Sequence, residues 1–300
     1  MSKLRCGLNA GAEFLVPGLG HGLSKNWSKM IILGGAKHVS SYAYFIATEE
    51  PDYQEDPDDY FRFTEGDPDN DIKHKTEFYL NKSTWDAQYY GTVYGNLLFI
   101  SWYDMYTNSC EPGGDTYSYM MAPLNVGHWY NNWMFWVPIG VLAYGYNDFI
   151  ENNEVFYNLG TGLTEDRLRR DSFSKYYLVG AGEEMLFRGT IQHWLNGLYR
   201  NSWGFSPNAA RHLAVWSGAA IFGAAHTGQG LSASAGPAFA MGGYFGYTYQ
   251  PNVDEFDLTT AIAVHAWWDL MIVYMYLNHA EFTETNEKVS VPLFNVAFRF

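Results

Sequence analysis

Three short clusters constrain this 300-residue chain more than anything else in it: Glu183-Glu184-Met185-Leu186-Phe187-Arg188-Gly189, Phe222-Gly223-Ala224-Ala225-His226 and His265-Ala266-Trp267-Trp268-Asp269. Each sets ionisable groups inside an apolar, glycine-spaced stretch, where a charge is costly unless something pairs with it or uses it. Residues four apart share a helix face, so Glu184 falls in line with Arg188, Phe222 with His226, and His265 with Asp269. The expected arrangement is a helical bundle in which these polar faces can point at one another.

Glu183 lies about 100° round the helix from Glu184. It need not share the Arg188 pairing, which leaves one carboxylate held structurally and one available for chemistry. A plainer reading stands beside this one: Glu184 and Arg188 form a buried salt bridge, His226 and His265 are satisfied core histidines, and Asp269 orients His265 without touching substrate. Every one of these groups can serve a buried polar network.

Acidic residues outnumber basic ones 32 to 18, a net charge of −14 with no basic stripe, which excludes a nucleic-acid partner. Cysteine is confined to Cys6 and Cys110, too few and too far apart for a disulfide framework or a cysteine-based zinc site. An aromatic share of 18% and 30 glycines suit membrane interfaces and close helix packing. Against that, the mean hydropathy of −0.24 is low for a chain that crosses a bilayer many times. No run reaches the ~20 uninterrupted apolar residues of a simple span. Apolar or aromatic stretches fall near 8–23, 29–47, 87–107, 131–149, 176–198, 209–227, 230–250 and 259–278. Lys37 and His38 interrupt the second, Asn96 and Asp104 the third, and Pro138 with Gly140 breaks the fourth. Interior helices around a polar site read this way. The predicted fold is therefore all-α, a polytopic transmembrane helical bundle with a polar intramembrane cavity.

Residues 49–71 carry eleven acids and three prolines and read as a solvated loop, without the ligand order of an EF-hand. Residues 107–126 and 151–175 also read as loops. The second gathers Arg167, Arg169, Arg170 and Lys175, which sets it on the cytoplasmic side. Pro17-Gly18-Leu19-Gly20 suggests a turn between short membrane-associated helices. The predicted division is a membrane-associated region over 1–126 with an acidic loop at 49–77, a bundle over 127–280 and a tail over 281–300. His193 is expected about 15 Å from Glu183 along the helix axis, at an interface or surface. His128, His212 and His279 stand near segment ends, and Gly242 with Gly246 reads as a helix contact face. Phe294, Val296, Phe298 and Phe300 alternate like the last strand of an outer-membrane barrel, a rival that leaves the three clusters unexplained.

A glutamate beside one or two histidines can polarise a water for amide hydrolysis, the carboxylate as general base and the imidazoles as orienters or metal ligands. No HExxH is present, so any metal would draw its ligands from separate helices. The ordered set EExxxR, FxxxH and HxxxD, spanning about 176–278, resembles the CPBP family of intramembrane proteases, which includes the CAAX prenyl protease 2 type and bacteriocin-immunity proteins. The resemblance implies an integral protein of the bacterial inner (cytoplasmic) membrane that cleaves a membrane-tethered protein or peptide. It further implies that Glu183 activates water with His226, that Glu184 and Arg188 fix the carboxylate region, and that His265 and Asp269 stabilise the oxyanion or, with His226, bind a divalent metal such as zinc. The family's last position is commonly Asn. An ionised Asp269 cannot donate a hydrogen bond to an oxyanion, which favours a metal-ligand or His265-orienting role. A scaffold or immunity protein of the same fold, binding a partner without cleaving it, is the alternative.

Overall fold

The computed structural model describes residues 3–67, 72–109, 115–227 and 234–284. Residues 110–114 of the expected 107–126 loop and 68–71 of the acidic stretch lie outside this range, as does the alternation from Phe294 to Phe300 on which the barrel reading rested. The described chain is mainly helical. Its longer helices are α1 (Lys3–Leu15), α2 (Gly35–Thr48), α3 (Lys82–Ser109), α4 (Trp133–Asn152), α5 (Glu165–Glu184), α6 (Pro207–Ala225), α7 (Gly236–Tyr249) and α8 (Leu258–His279). They correspond in order to the predicted apolar stretches.

Two departures are instructive. Pro138 does not break α4, which runs through it. Proline removes the N–H that would bond the carbonyl four residues earlier; here that carbonyl, on Met134, accepts from the Tyr244 hydroxyl of α7 instead. A tertiary contact repairs what the local sequence damages.

The second departure is a four-stranded sheet that the all-α expectation lacks: β1 (Phe61–Thr64), β2 (His74–Leu80), β3 (Asn153–Leu159) and β4 (Glu281–Glu284), side by side in that order. β1 lies within the predicted acidic loop, β3 and the first turns of α5 within the predicted 151–175 loop, and β4 at the start of the tail. β1 runs antiparallel to β2, with Phe61 opposite Phe78, whereas β2–β3 and β3–β4 are parallel. Parallel neighbours need long crossovers, and the helices supply them. Val155, Tyr157 and Leu159 alternate inward from β3, and Tyr157 stacks between Phe78 and Phe282 at 4.5 and 5.2 Å. β2 ends two residues before α3, β3 runs by a short turn into α5, and α8 ends just before β4. The sheet thus anchors one end of each of these three helices.

The core is mostly apolar, but several helices also expose apolar faces. On α2, Lys37 and Ser40 are buried while Val39, Tyr42, Phe45 and Ile46 are exposed. On α4, Trp133, Trp136, Val137, Val141 and Tyr144 form an outward stripe. Of the residues that interrupt the predicted stretches, Lys37, Asn96 and Asp104 all point inward and are buried. Lys37 is paired with Glu13 of α1 and bonds Ser101 of α3 at 2.9 Å. Lys29 meets Asp104 at 2.6 Å. The Lys37–Glu13 pair with Ser101 joins α1, α2 and α3, and Lys29 ties the segment between α1 and α2 to α3. Among the described residues one helix, α8, is long and apolar enough to cross a membrane, and half of its apolar window is buried in the bundle.

Candidate active site

Glu183 and Glu184 end α5, which begins with Thr164 accepting from the Arg167 amide as an N-cap. Their placement depends on the glycines just before them. A Cβ on Gly180 would lie 2.5 Å from the Ala266 nitrogen and 2.6 Å from its Cα, on α8. A Cβ on Gly182 would lie 2.4 Å from Asn96 Oδ1 on α3. Only glycine lets α5 approach both neighbours this closely, as small residues do at packed helix interfaces. Beyond Glu184 the helix widens into a π-helical stretch, Met185–Gln192, which carries Arg188. Such widenings are rare and concentrate at functional sites.

Glu184 and Arg188 are fully buried and bonded at 3.1 Å, so the predicted pair exists. Sequence reasoning missed Glu184's second bond: its Oε1 lies 2.8 Å from His265 Nδ1, on α8. Glu184 therefore joins two helices as well as two turns of its own. The bond requires Nδ1 to carry hydrogen, because a carboxylate oxygen only accepts.

Glu183 points another way. Its Oε2 is buried without a hydrogen-bond partner, 3.7 Å from His226 Nε2 and 3.9 Å from His265 Nε2. His226 caps α6, and its Nδ1 lies 2.7 Å from the Phe222 carbonyl oxygen, which can only accept. Nδ1–H is thus the donor, which turns Nε2 toward Glu183. The Phe222 ring lies 4.4 Å from the His226 ring and 6.0 Å from that of His265, while Phe245 stacks on His265 at 4.5 Å. Asp269 completes the group, Oδ2 at 3.5 Å from His265 Nε2. The His226 side chain is 35% exposed against 16% for Glu183 and 5% for His265, so the group is reached from the His226 side.

All six predicted residues thus gather in one place. Three carboxylates face two imidazoles and one guanidinium around a single uncommitted oxygen. Such an arrangement can take a proton from a small polar molecule, hold it and return it. Among the described residues no group of three or more His, Cys, Asp or Glu is gathered as a metal site, and no step below passes through a metal.

The other singled-out residues lie elsewhere. His193 Nδ1 meets the Tyr249 hydroxyl at 3.0 Å, away from Glu183. His128, His212 and His279 bond Asp257, Tyr247 and the Asn153 carbonyl respectively. Gly242 and Gly246 form the expected contact face: their Cβ positions would lie 3.1 Å from Ala219 Cα and 3.0 Å from Val215 Cγ1 on α6. Trp267 donates to the Pro123 carbonyl at 3.0 Å, a packing role.

No curated protein and no solved structure matches the chain significantly. A family model does. Residues 172–271, a third of the chain, match the model described as Type II CAAX prenyl endopeptidase Rce1-like, a span that runs from within α5 to within α8 and includes every residue of the group around Glu183. Over this segment the resemblance to the CPBP-type intramembrane proteases, read from the three clusters, is shown.

Proposed function

We propose that the chain is an endopeptidase that hydrolyses a peptide bond of a membrane-tethered protein or peptide, with Glu183 as general base. The observation that carries this reading is Glu183 Oε2, a buried carboxylate oxygen without a partner that faces two imidazole nitrogens. A structural carboxylate would be bonded, as Glu184 is. The bilayer setting draws support from the family match and from the apolar faces that α2 and α4 expose.

In this mechanism water enters from the His226 side, donating one hydrogen toward Glu183 Oε2 and one toward His226 Nε2. Glu183 removes a proton as the water oxygen bonds to the scissile carbonyl carbon. The carbonyl oxygen becomes an oxyanion and accepts from His265 Nε2–H, which the carboxylates of Glu183 and Asp269, at 3.5 Å and beyond, leave without a full hydrogen bond. The C–N bond then breaks as Glu183 returns its proton to the departing nitrogen, leaving a carboxylic acid and an amine; the acid's proton passes to the amine or to solvent as the products leave. Glu184 acts through His265 by holding Nδ1, and Arg188 holds Glu184, so both are positioning residues. Asp269, which accepts only, orients His265 and balances its charge.

The test is cleavage of a panel of membrane-tethered peptides, with and without a prenylated cysteine, by purified protein in lipid or detergent. Mass spectrometry of the products in ¹⁸O-water reads the bond cut and the oxygen incorporated. One solvent oxygen in the new carboxylate is expected. A binding scaffold of this fold would retain peptides without cutting them.

A further inference from the structure

Arg188 is fully buried with its guanidinium 5.0 Å over the Phe222 ring, and only its Nε has a hydrogen-bond partner; Nη1 and Nη2 have none. One turn on, Gln192 is equally buried. Its Nε2 donates to the Gly246 carbonyl at 3.0 Å, which fixes its amide orientation, and its Oε1 has no partner. A charged fork with spare donors and an amide oxygen with a spare acceptor rarely stay buried and unmatched.

The two converge on α6. A Cβ on Gly218 would stand 3.7 Å from Gln192 Oε1 and 3.8 Å from Arg188 Nη1, with Gln192 Cβ the nearest atom at 3.5 Å. Because Gly218 has no side chain, a donor and an acceptor both lie near the same point, with Gly246, whose Cβ would stand 2.9 Å from Gln192 Oε1, also beside the amide; a ligand over Gly218 that satisfies both accepts from the guanidinium and donates to the amide oxygen. An anion has nothing to give Gln192, and a cation is repelled by Arg188. Water does both.

We infer that a buried water over Gly218 bridges Arg188 to Gln192, and that Gln192 thereby acts as a positioning residue that keeps Arg188 turned toward Glu184. This rests on the reading of Glu184 and Arg188 as the frame of the Glu183 site. It adds a further link to that frame, Gly246–Gln192–water–Arg188–Glu184–His265, which joins α7, the π-helical stretch, α5 and α8.

The first test is a structure of the wild-type protein at a resolution that shows ordered water. Density within hydrogen-bond distance of both Arg188 Nη1 and Gln192 Oε1 supports the inference, and its absence overturns it, whether or not any peptide is cleaved. The second is a pair of substitutions. Gly218→Ala meets its neighbours at ordinary contact distances and favours the helix, yet it takes the water's place. Gly218→Ser brings a hydroxyl that can accept from Arg188 and donate to Gln192 itself. The expected result is a folded Ala variant with kcat lowered about tenfold and KM within about twofold, and a Ser variant that recovers most of the loss. A purely steric role ranks the smaller Ala above Ser, and that order overturns the inference. Glu183→Gln in the same assay keeps the two questions apart: if it cleaves as well as wild type, the hydrolytic reading fails while the water density still decides this one.

Discussion

Gly180→Ala is the substitution from which the packing account predicts most. The added methyl would lie 2.5–2.7 Å from the nitrogen, Cα and Cβ of Ala266, two of them backbone atoms that cannot rotate away. Ordinary carbon contacts begin near ~3.5 Å, so α5 and α8 must part by about 1 Å. Crowding a packed contact costs ~1–3 kcal/mol, while replacing glycine by alanine inside a helix returns up to ~1 kcal/mol. The net loss of stability is therefore small, about 0–2 kcal/mol. The same shift stretches the 2.8 Å bond between Glu184 and His265 past hydrogen-bond range. A misplacement of about 1 Å in a site of this kind costs on the order of 10²-fold in rate, or ~2.7 kcal/mol of barrier. Thermal unfolding in detergent and initial cleavage rates measure the two effects separately. Gly140→Ala on α4, whose Cβ meets nothing within 4 Å, is the control and should be neutral or slightly stabilising. A folded Gly180→Ala protein with kcat within about threefold of wild type would refute the claim that this contact sets the site.

Other predictions are more direct. Arg188→Leu leaves Glu184 buried without its cation and should destabilise by ~3–5 kcal/mol, with Glu184→Gln/Arg188→Leu costing less than the sum of the single changes in a thermodynamic cycle. A strong chelator should leave the rate unchanged, since the proposed mechanism takes its proton steps through Glu183 and the imidazoles alone; activity lost to chelation and restored by zinc would contradict this. On the sheet, the Lys75 ammonium 3.0 Å from Glu77, helped by the Tyr79 hydroxyl, holds the Glu77 carboxyl below its ordinary range. The pair stabilises the sheet above the unfolded carboxyl's range, near ~4.5, and that contribution fades as pH falls through the lowered value. The pair is partly solvent-exposed, so the effect is under ~1 kcal/mol, and Lys75→Ala should move the Glu77 titration back toward its ordinary position in an NMR pH series.

The helical order and the gathering of the six residues around Glu183 were legible because charges inside apolar stretches are costly enough to mark themselves, and spacing of four names the shared face. The same reasoning did not reach Glu184's bond to His265, since a contact between helices leaves no mark in either one's periodicity. Gly180 and Gly182 were visible as glycines beside the glutamates, but their meaning depends on Ala266 and Asn96 on other helices. The sheet was hidden for a different reason. β1 is four residues inside an acidic run, and β3, with Val155, Tyr157 and Leu159 alternating, sat beside a cluster of arginines that drew the segment toward a loop. Pro138 was read as a break because its missing hydrogen bond is local, whereas the Tyr244 hydroxyl that compensates is more than a hundred residues away.

The central claim is that Glu183 takes the proton from the attacking water. Its most direct test is the single-turnover cleavage rate of Glu183→Gln in a protein shown to be folded and to bind the same peptide. Glutamine keeps the shape and abolishes the base, so the rate should fall by a factor on the order of 10² to 10⁴ with binding intact. Cleavage at the wild-type rate would contradict the account and return the site to a structural polar network.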